Sequence, residues 1–130
     1  MTIEDASTEI TTTLETAKQC WPERRLVVVF QPHRYTRTQA LLDRFVICFN
    51  QADALIIAPI YPAGESPIPG VTSEILCQGI KEHGHRDVIL AESSQDIISL
   101  LSNILKPGDI LITLGAGDIY NIGDEIIGSP

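Results

Sequence analysis

The stretch Leu26-Val-Val-Val-Phe30 is a short, continuous apolar run in which three of the five residues are β-branched valines. Such a run is typical of a β-strand that is buried on both faces, as the strands of a parallel sheet are. Three further runs of this kind follow along the chain, at 54–58, 87–91 and 109–114. We expect each of them to be a strand.

Between these runs, apolar residues recur at three- and four-residue intervals, which is the period of an amphipathic helix. The spacing predicts helices over 41–49, 75–80 and 97–105, one before the first strand over 8–20, and a closing one over 119–127. Strands that alternate with helices predict an α/β fold with right-handed crossovers. We therefore expect a Rossmann-like, three-layer αβα domain with a mainly parallel sheet.

The composition is that of a single globular domain. The 130 residues are 44% hydrophobic and 20% charged, which is enough for one core. A formal charge of −8 argues against nucleic acid and anionic membranes as partners. The apolar runs are far shorter than the roughly 20 residues of a membrane-spanning helix. The acidic start over 1–15 is unlike a secretion signal, so we expect a cytoplasmic protein.

The loop after the first strand, residues 31–38, is called the basic loop below. Although the chain is acidic, five of its nine basic residues fall between positions 24 and 44. His33, Arg34 and Arg37 lie where the strand should pass into a helix, and a helix start favours anions. Such groups suit a carboxylate or a phosphate, but an ordinary solvated surface is an equal alternative. The five basic residues are Arg24, Arg25, Arg34, Arg37 and Arg44.

Loops that follow parallel strands gather at the carboxyl edge of the sheet, where ligands bind. The loop after the second strand, 61–70, contains three prolines and two glycines, so we expect it to be ordered. Three interpretations of its Glu65 remain open. It is an exposed surface carboxylate, a contact to a substrate amine, or a hydrogen-bonded brace for the basic loop.

Motifs for nucleotide and metal chemistry are absent or incomplete. The chain has no G-x-x-x-x-G-K-[ST] P-loop, so we do not expect it to hydrolyse ATP alone. Gly115-Ala-Gly-Asp118 lacks the third glycine of a dinucleotide-binding turn, and Asp118 is expected to cap a helix. Cys20, Cys48 and Cys77 have no paired short spacing and predict neither a disulfide framework nor a metal site.

The segment Arg25-Leu-Val-Val-Val-Phe-Gln-Pro-His-Arg-Tyr-Thr-Arg-Thr38 closely resembles the C-terminal domain of the Mur ligases. The octapeptide at 31–38 carries most of the specificity of this likeness. Ile60-Tyr-Pro-Ala-Gly-Glu65 and Leu114-Gly-Ala-Gly-Asp-Ile119 also resemble the family, so the likeness runs over about residues 8–127.

The resemblance implies a function in peptidoglycan synthesis, the ATP-dependent joining of L-alanine to UDP-N-acetylmuramate. In such ligases ATP phosphorylates the muramoyl carboxylate with the help of Mg²⁺, and the amino group of alanine attacks the acyl phosphate. ATP and Mg²⁺ are bound mainly by a central domain and the UDP-sugar by an N-terminal domain. We therefore expect residues 1–130 to be the C-terminal, amino-acid-binding domain without the other two, and to be inactive alone.

The resemblance also implies roles for single residues. His33, Arg34 and Arg37 would bind the alanine carboxylate, and Tyr35 and Thr36 would shape the loop. Positioning and electrostatic stabilisation of this kind need no nucleophile from the protein. The expected substrate-binding residues are His33, Arg34, Tyr35 and Arg37, with Thr36 and Glu65 as further candidates. No catalytic residue and no metal ligand is expected in this domain.

Residues 1–7 depart from the family pattern, which usually reads Asp-Asp-Tyr-Gly-His-His-Pro before the residues that match Thr8 and Glu9. An excised domain, a detached gene product and a degenerate paralogue would each fit this departure. Two other functions also stay open. One is a non-catalytic, stand-alone binding or regulatory domain. The other is a ligase that adds a whole tripeptide to the muramate, whose corresponding loop does not read Gln-Pro-His-Arg-Tyr.

Overall fold

The computed structural model describes residues 3–85 and 87–115, with only the backbone for residues 3–7. Helices and strands alternate as the sequence predicts. They are α1 (Ile3–Cys20), β1 (Leu26–Phe30), α2 (Tyr35–Phe45), β2 (Ala54–Ile57), α3 (Ser73–Glu82), β3 (Val88–Leu90), α4 (Ser94–Ile104) and β4 (Ile110–Leu114). The closing helix expected over 119–127 and the cap expected at Asp118 lie outside the described residues.

The strands of the described residues form one parallel sheet in the order β3-β2-β1-β4. In the centre, Val28 of β1 pairs with Leu55 of β2 on one side and with Ile112 of β4 on the other. One face packs against α1, α2 and α3, and the opposite face packs against α4. The prediction of a Rossmann-like, three-layer αβα domain is confirmed.

Burial on both faces, which the sequence predicts for every strand, holds for the inner two. Every residue of β1 and β2 is buried. Val28 and Phe30 belong to the core under α1–α3, whereas Val27 and Val29 belong to the core under α4. The prediction is wrong for β3, which lies at an edge of the described sheet and leaves Ile89 37% exposed. A continuous apolar run therefore does not show whether its strand is inner or outer.

Helix α2 ends earlier than the apolar spacing predicts. The pattern runs to Phe49, but the last helical residue is Phe45, and the N–H of Ile47 then donates to the carbonyl oxygen of Arg44, 3.2 Å away. This bond spans three residues, which tightens the last turn and stops the helix. Phe49 still reaches the core, because the following turn places its ring 5.0 Å from the ring of Phe30.

Caps and turns mark the boundaries of α3 and α4. The side chain of Ser93 caps α4 by accepting a hydrogen bond of 3.1 Å from its first turn. After α3 and α4 the chain turns at Gly84 and at Gly108. The Nδ1 atom of His83 lies 2.9 Å from the carbonyl oxygen of Gly79, so this side chain caps the carboxyl end of α3.

The basic residues that cluster in the sequence are divided between the two ends of the sheet. Arg25 directly precedes β1, so it lies at the amino end, where it forms an ion pair of 2.6 Å with Asp109. It also donates to the carbonyl oxygen of Ile104, 2.5 Å away. Arg25 thus fastens β1 to the segment between α4 and β4. Only Arg34 and Arg37 follow β1 at its carboxyl end.

We expect Asp109→Asn to lower the free energy of unfolding at neutral pH by about 2 kcal/mol, the order of a charge-assisted hydrogen bond. The Arg25 guanidinium holds the pKa of the Asp109 carboxyl below its usual value. Because the pKa is lower in the folded chain, this stabilisation is complete above the unfolded pKa of about 4 and is lost as the pH falls through the folded pKa. Urea unfolding at pH 7 and at about pH 3 measures the effect. The prediction would be contradicted if Asp109→Asn lowered the free energy of unfolding by as much at about pH 3 as at pH 7.

Candidate functional site

The loops after β1 and β2 pair with each other at the carboxyl edge of the sheet. The N–H of Tyr61 donates to the carbonyl oxygen of Pro32 at 2.8 Å, and the N–H of Arg34 donates to that of Tyr61 at 2.7 Å. His33 and Tyr61 therefore form a parallel bridge, and their rings stack with centroids 5.7 Å apart. The expected gathering of these two loops is confirmed.

Arg34 has an unusual backbone conformation at the start of α2. Its φ is 70° and its ψ is 143°. A residue other than glycine is strained in such a region, by about 1–3 kcal/mol. Hydrogen bonds hold it there: besides the bond to Tyr61, its carbonyl oxygen accepts from the N–H and the hydroxyl of Thr38, at 3.2 and 2.7 Å. Since Thr38 is fully buried, the backbone of Arg34 is anchored to the core while its side chain stays exposed.

Glu65 takes the place of a capping side chain for α2. Arg34 lies at the N-cap position but makes no capping bond with its side chain. The Glu65 carboxylate instead accepts from the hydroxyl of Thr36 at 2.6 Å and from its N–H at 3.1 Å. These bonds, the hydroxyl one foremost, hold the pKa of Glu65 below its usual value. The contacts favour the brace among the three interpretations of Glu65.

The bond between Thr36 and Glu65 occupies a backbone amide that was expected to be free. The start of α2 was expected to offer its free amides to a ligand anion. The Thr36 amide is already bonded to the carboxylate of Glu65. An anion at the basic loop would therefore be bound by the guanidinium groups and not by this amide.

His33 is partly buried, and its surroundings disfavour the charged form of its ring. Burial lowers the pKa of His33, and repulsion from Arg34 and then Arg37 lowers it further, while Glu65 acts in the opposite direction. Because the usual value is about 6.5, the ring is neutral at pH 7.

The side chains of Arg34 and Arg37 are available to a ligand. Within the described residues neither guanidinium group makes an ion pair or a hydrogen bond. Arg34 is exposed and Arg37 is partly buried. Arg34 lies at the N-cap position of α2 and Arg37 lies in its first turn, so both side chains belong to the start of this helix. Two guanidinium groups that make no internal bond suit a carboxylate ligand.

A cleft of about 600 Å³ opens beside the basic loop. Its walls are mostly apolar and come from the loop after β2, the start of α3 and the end of β3. Tyr35, which belongs to the basic loop, also lines this cleft. Two carboxylates, Glu74 and Glu92, also line the cleft, so it is unsuited to a second anion.

Two contacts at this edge were missed by the sequence argument. A Cβ atom on Gly115 would lie 2.5 Å from the carbonyl oxygen of Gln31, the first residue of the basic loop. Glycine is therefore needed at position 115 for close packing against that loop. The Thr38 hydroxyl, which holds Arg34, was also missed, although a threonine that bonds four residues back is a known local pattern.

The described residues fit neither ATP nor Mg²⁺. They contain no group of three or more His, Cys, Asp or Glu side chains that could hold a metal ion. The sequence has no P-loop to hold a triphosphate. Burial raises the pKa of the Cys48 thiol to about 12, so Cys48 is no nucleophile. Among the residues that the structure describes, no helix is long and apolar enough to cross a membrane.

Fold and site together define a Rossmann-like α/β domain that presents two arginines and a neutral histidine at the carboxyl edge of its sheet. Residues 6–117 match the model of the family described as Mur ligase, glutamate ligase domain. The chain belongs to this family, and the resemblance seen in the sequence is confirmed.

Two relatives show how much of a ligase this chain represents. It is 52% identical over 120 residues to a UDP-N-acetylmuramate–L-alanine ligase of Desulforapulum autotrophicum. The aligned segment covers 92% of this chain and 26% of the relative. It is 50% identical over 119 residues to the protein of the same name from Geobacter sulfurreducens, again with 92% and 26% covered. The chain thus spans about a quarter of the length of the curated relatives it matches.

Two solved structures share the fold. A murein peptide ligase from Psychrobacter arcticus 273-4 has a TM-score of 0.69 at 20% identity, with 94% of this chain and 25% of that chain covered. A ligase domain from Haemophilus ducreyi 35000HP has a TM-score of 0.67 at 15% identity, with 93% and 80% covered. At these identities the likeness supports the fold alone.

Proposed function

We propose that this chain is the amino-acid-binding domain of a cytoplasmic, ATP-dependent ligase that joins L-alanine to UDP-N-acetylmuramate in peptidoglycan synthesis. The observation that carries the proposal is the pair Arg34 and Arg37, whose guanidinium groups make no ion pair or hydrogen bond among the described residues and lie at the ligand-binding edge. Its support is the 52% identity to a relative named for this reaction.

In this proposal the two guanidinium groups bind the carboxylate of L-alanine, and the neutral ring of His33 adds a hydrogen bond. A carboxylate held by paired N–H donors has a fixed orientation, so the amino group at the other end of alanine is aimed at its target. Tyr35 limits the space beside the amino acid. The gain in rate comes from positioning and from electrostatic stabilisation, and no residue of this chain forms a covalent bond.

The remaining substrates would bind elsewhere in the complete ligase. ATP supplies the phosphoryl group that activates the muramoyl carboxylate. We propose that a central domain binds ATP and Mg²⁺ and that an N-terminal domain binds the UDP-sugar. Closure of these domains against this one would bring the amino group of alanine to the activated carboxylate.

A chimera tests the proposal, with this chain in place of the matching 119-residue segment of the Geobacter sulfurreducens protein. We expect ATP-dependent release of phosphate that requires UDP-N-acetylmuramate and L-alanine, with the parent protein as the reference. A chimera that folds and binds ATP but forms no product with L-alanine would contradict the proposal. Product formed with L-alanyl-γ-D-glutamyl-meso-diaminopimelate instead would indicate the tripeptide ligase.

A further inference from the structure

We infer that Glu65 is a positioning residue for the amino-acid carboxylate, because it holds the first turn of α2 in the conformation that directs Arg34 and Arg37 to one ligand. The inference rests on the proposed function. It adds a residue that acts through the two arginines and does not itself touch the substrate. The loop after β2 thereby becomes part of the amino-acid site.

Thr36, the residue that Glu65 holds, lies between the two arginines in the chain. Its N–H and hydroxyl both donate to Glu65, at 3.1 and 2.6 Å, across 29 residues of sequence. Any movement of Thr36 therefore changes the direction of the side chains of Arg34 and Arg37. Loss of an N-cap partner frees the first turn of a helix, and that turn carries Arg37.

A second contact from the same loop holds Arg34. The carbonyl oxygen of Tyr61 accepts the N–H of Arg34 at 2.7 Å. Because φ of Arg34 is 70°, its backbone is strained and would relax without such restraints. The loop after β2 thus holds the basic loop at two points, Tyr61 on Arg34 and Glu65 on Thr36.

The negative charge of Glu65, taken by itself, would lower the affinity for the amino-acid carboxylate, whereas its positioning role raises it. A carboxylate near Arg34 attracts that guanidinium group, which contributes to the low pKa of Glu65. It therefore competes with the carboxylate of a ligand. If screening were its only effect, removal of the charge would tighten amino-acid binding. If Glu65 positions the arginines, removal weakens binding, so the sign of the change separates the two roles.

The main experiment is Glu65→Gln in the chimera. We expect the KM for L-alanine to rise about tenfold, less than the about 100-fold that a 1 Å misplacement can cost, with the KM for ATP nearly unchanged. An L-alanine KM that falls or stays the same would overturn the inference. Glu23→Gln is the matched control, because it removes the same charge from an exposed position before β1, at the opposite end of the sheet, where the described residues give that carboxylate no hydrogen bond.

A second pair of variants tests the same contact with less risk to folding. Thr36→Val keeps the shape of the side chain but removes the hydroxyl donor, and it should raise the KM for L-alanine. Thr36→Ser keeps the donor and should restore most of the affinity. Equal effects of the two substitutions would count against the inference.

Different results would contradict the proposed function of the chain and the positioning role of Glu65. An unsubstituted chimera that makes no product with L-alanine contradicts the proposed function. A chimera that is active, but whose KM for L-alanine does not rise in Glu65→Gln, contradicts only the positioning role. Thermal unfolding of each variant establishes that the KM values refer to folded protein.

Discussion

Replacing Arg37 by alanine is expected to raise the KM of the chimera for L-alanine by about 100-fold and to leave the KM for ATP within about twofold. The guanidinium group of Arg37 has no partner within the described residues, so its loss removes binding to the ligand and little internal stability. Initial rates, with each substrate varied while the other is saturating, measure both constants.

Arg24→Ala is the matched control for this prediction. It removes the same charge from an exposed position that precedes β1 and therefore lies at the opposite end of the sheet. Its KM for L-alanine should equal that of the unsubstituted chimera. An Arg37→Ala protein that loses affinity for L-alanine and ATP alike would contradict the assignment of Arg37 to the amino acid.

Replacing Phe49 by alanine is expected to lower the free energy of unfolding by about 3–5 kcal/mol. The side chain is 1% exposed and lies in the core under α1–α3, with its ring 5.0 Å from that of Phe30. Loss of the phenyl ring costs the free energy of transferring it out of water. The cavity that it leaves in the core adds a second cost. Urea unfolding of the 130-residue chain measures the change.

Ile47→Ala serves as the control for the core, because Ile47 lies two residues away and is 53% exposed. Its effect should stay within about 0.5 kcal/mol, as is usual for surface substitutions. Equal destabilisation by the two substitutions would mean that the turn after α2 does not bury Phe49.

The apolar periodicity of the sequence was sufficient to predict the fold. The run at 26–30 has the bounds of β1, and the predicted bounds of the other strands differ from the observed ones by at most one residue at either end. The edge position of β3 could not be predicted, because a run such as that around Ile89 is equally apolar in an inner strand. The end of α2 was missed because Phe49 continues a helical spacing although a turn carries it into the core.

The candidate site could be predicted only in part. The basic loop follows the first strand, and its position at the carboxyl edge is a consequence of a parallel sheet. The other features of the site depend on contacts between residues that are distant in the sequence. Arg25 precedes β1 and so lies at the opposite end of the sheet, where its partner Asp109 is 84 residues away in the sequence. The neutral state of His33 depends on burial, and the choice among the interpretations of Glu65 depended on its bonds to Thr36.

The most direct test of the central claim compares L-alanine with L-alaninamide, which keeps the amino group and lacks the carboxylate. The quantity to measure is the ratio of kcat/KM for the two amines, in the unsubstituted chimera and in Arg37→Ala. If Arg37 binds the carboxylate, the preference for L-alanine falls by about 100-fold in Arg37→Ala, because only L-alanine loses an interaction. A preference of the same size in both proteins would contradict the claim that this guanidinium group binds the amino-acid carboxylate.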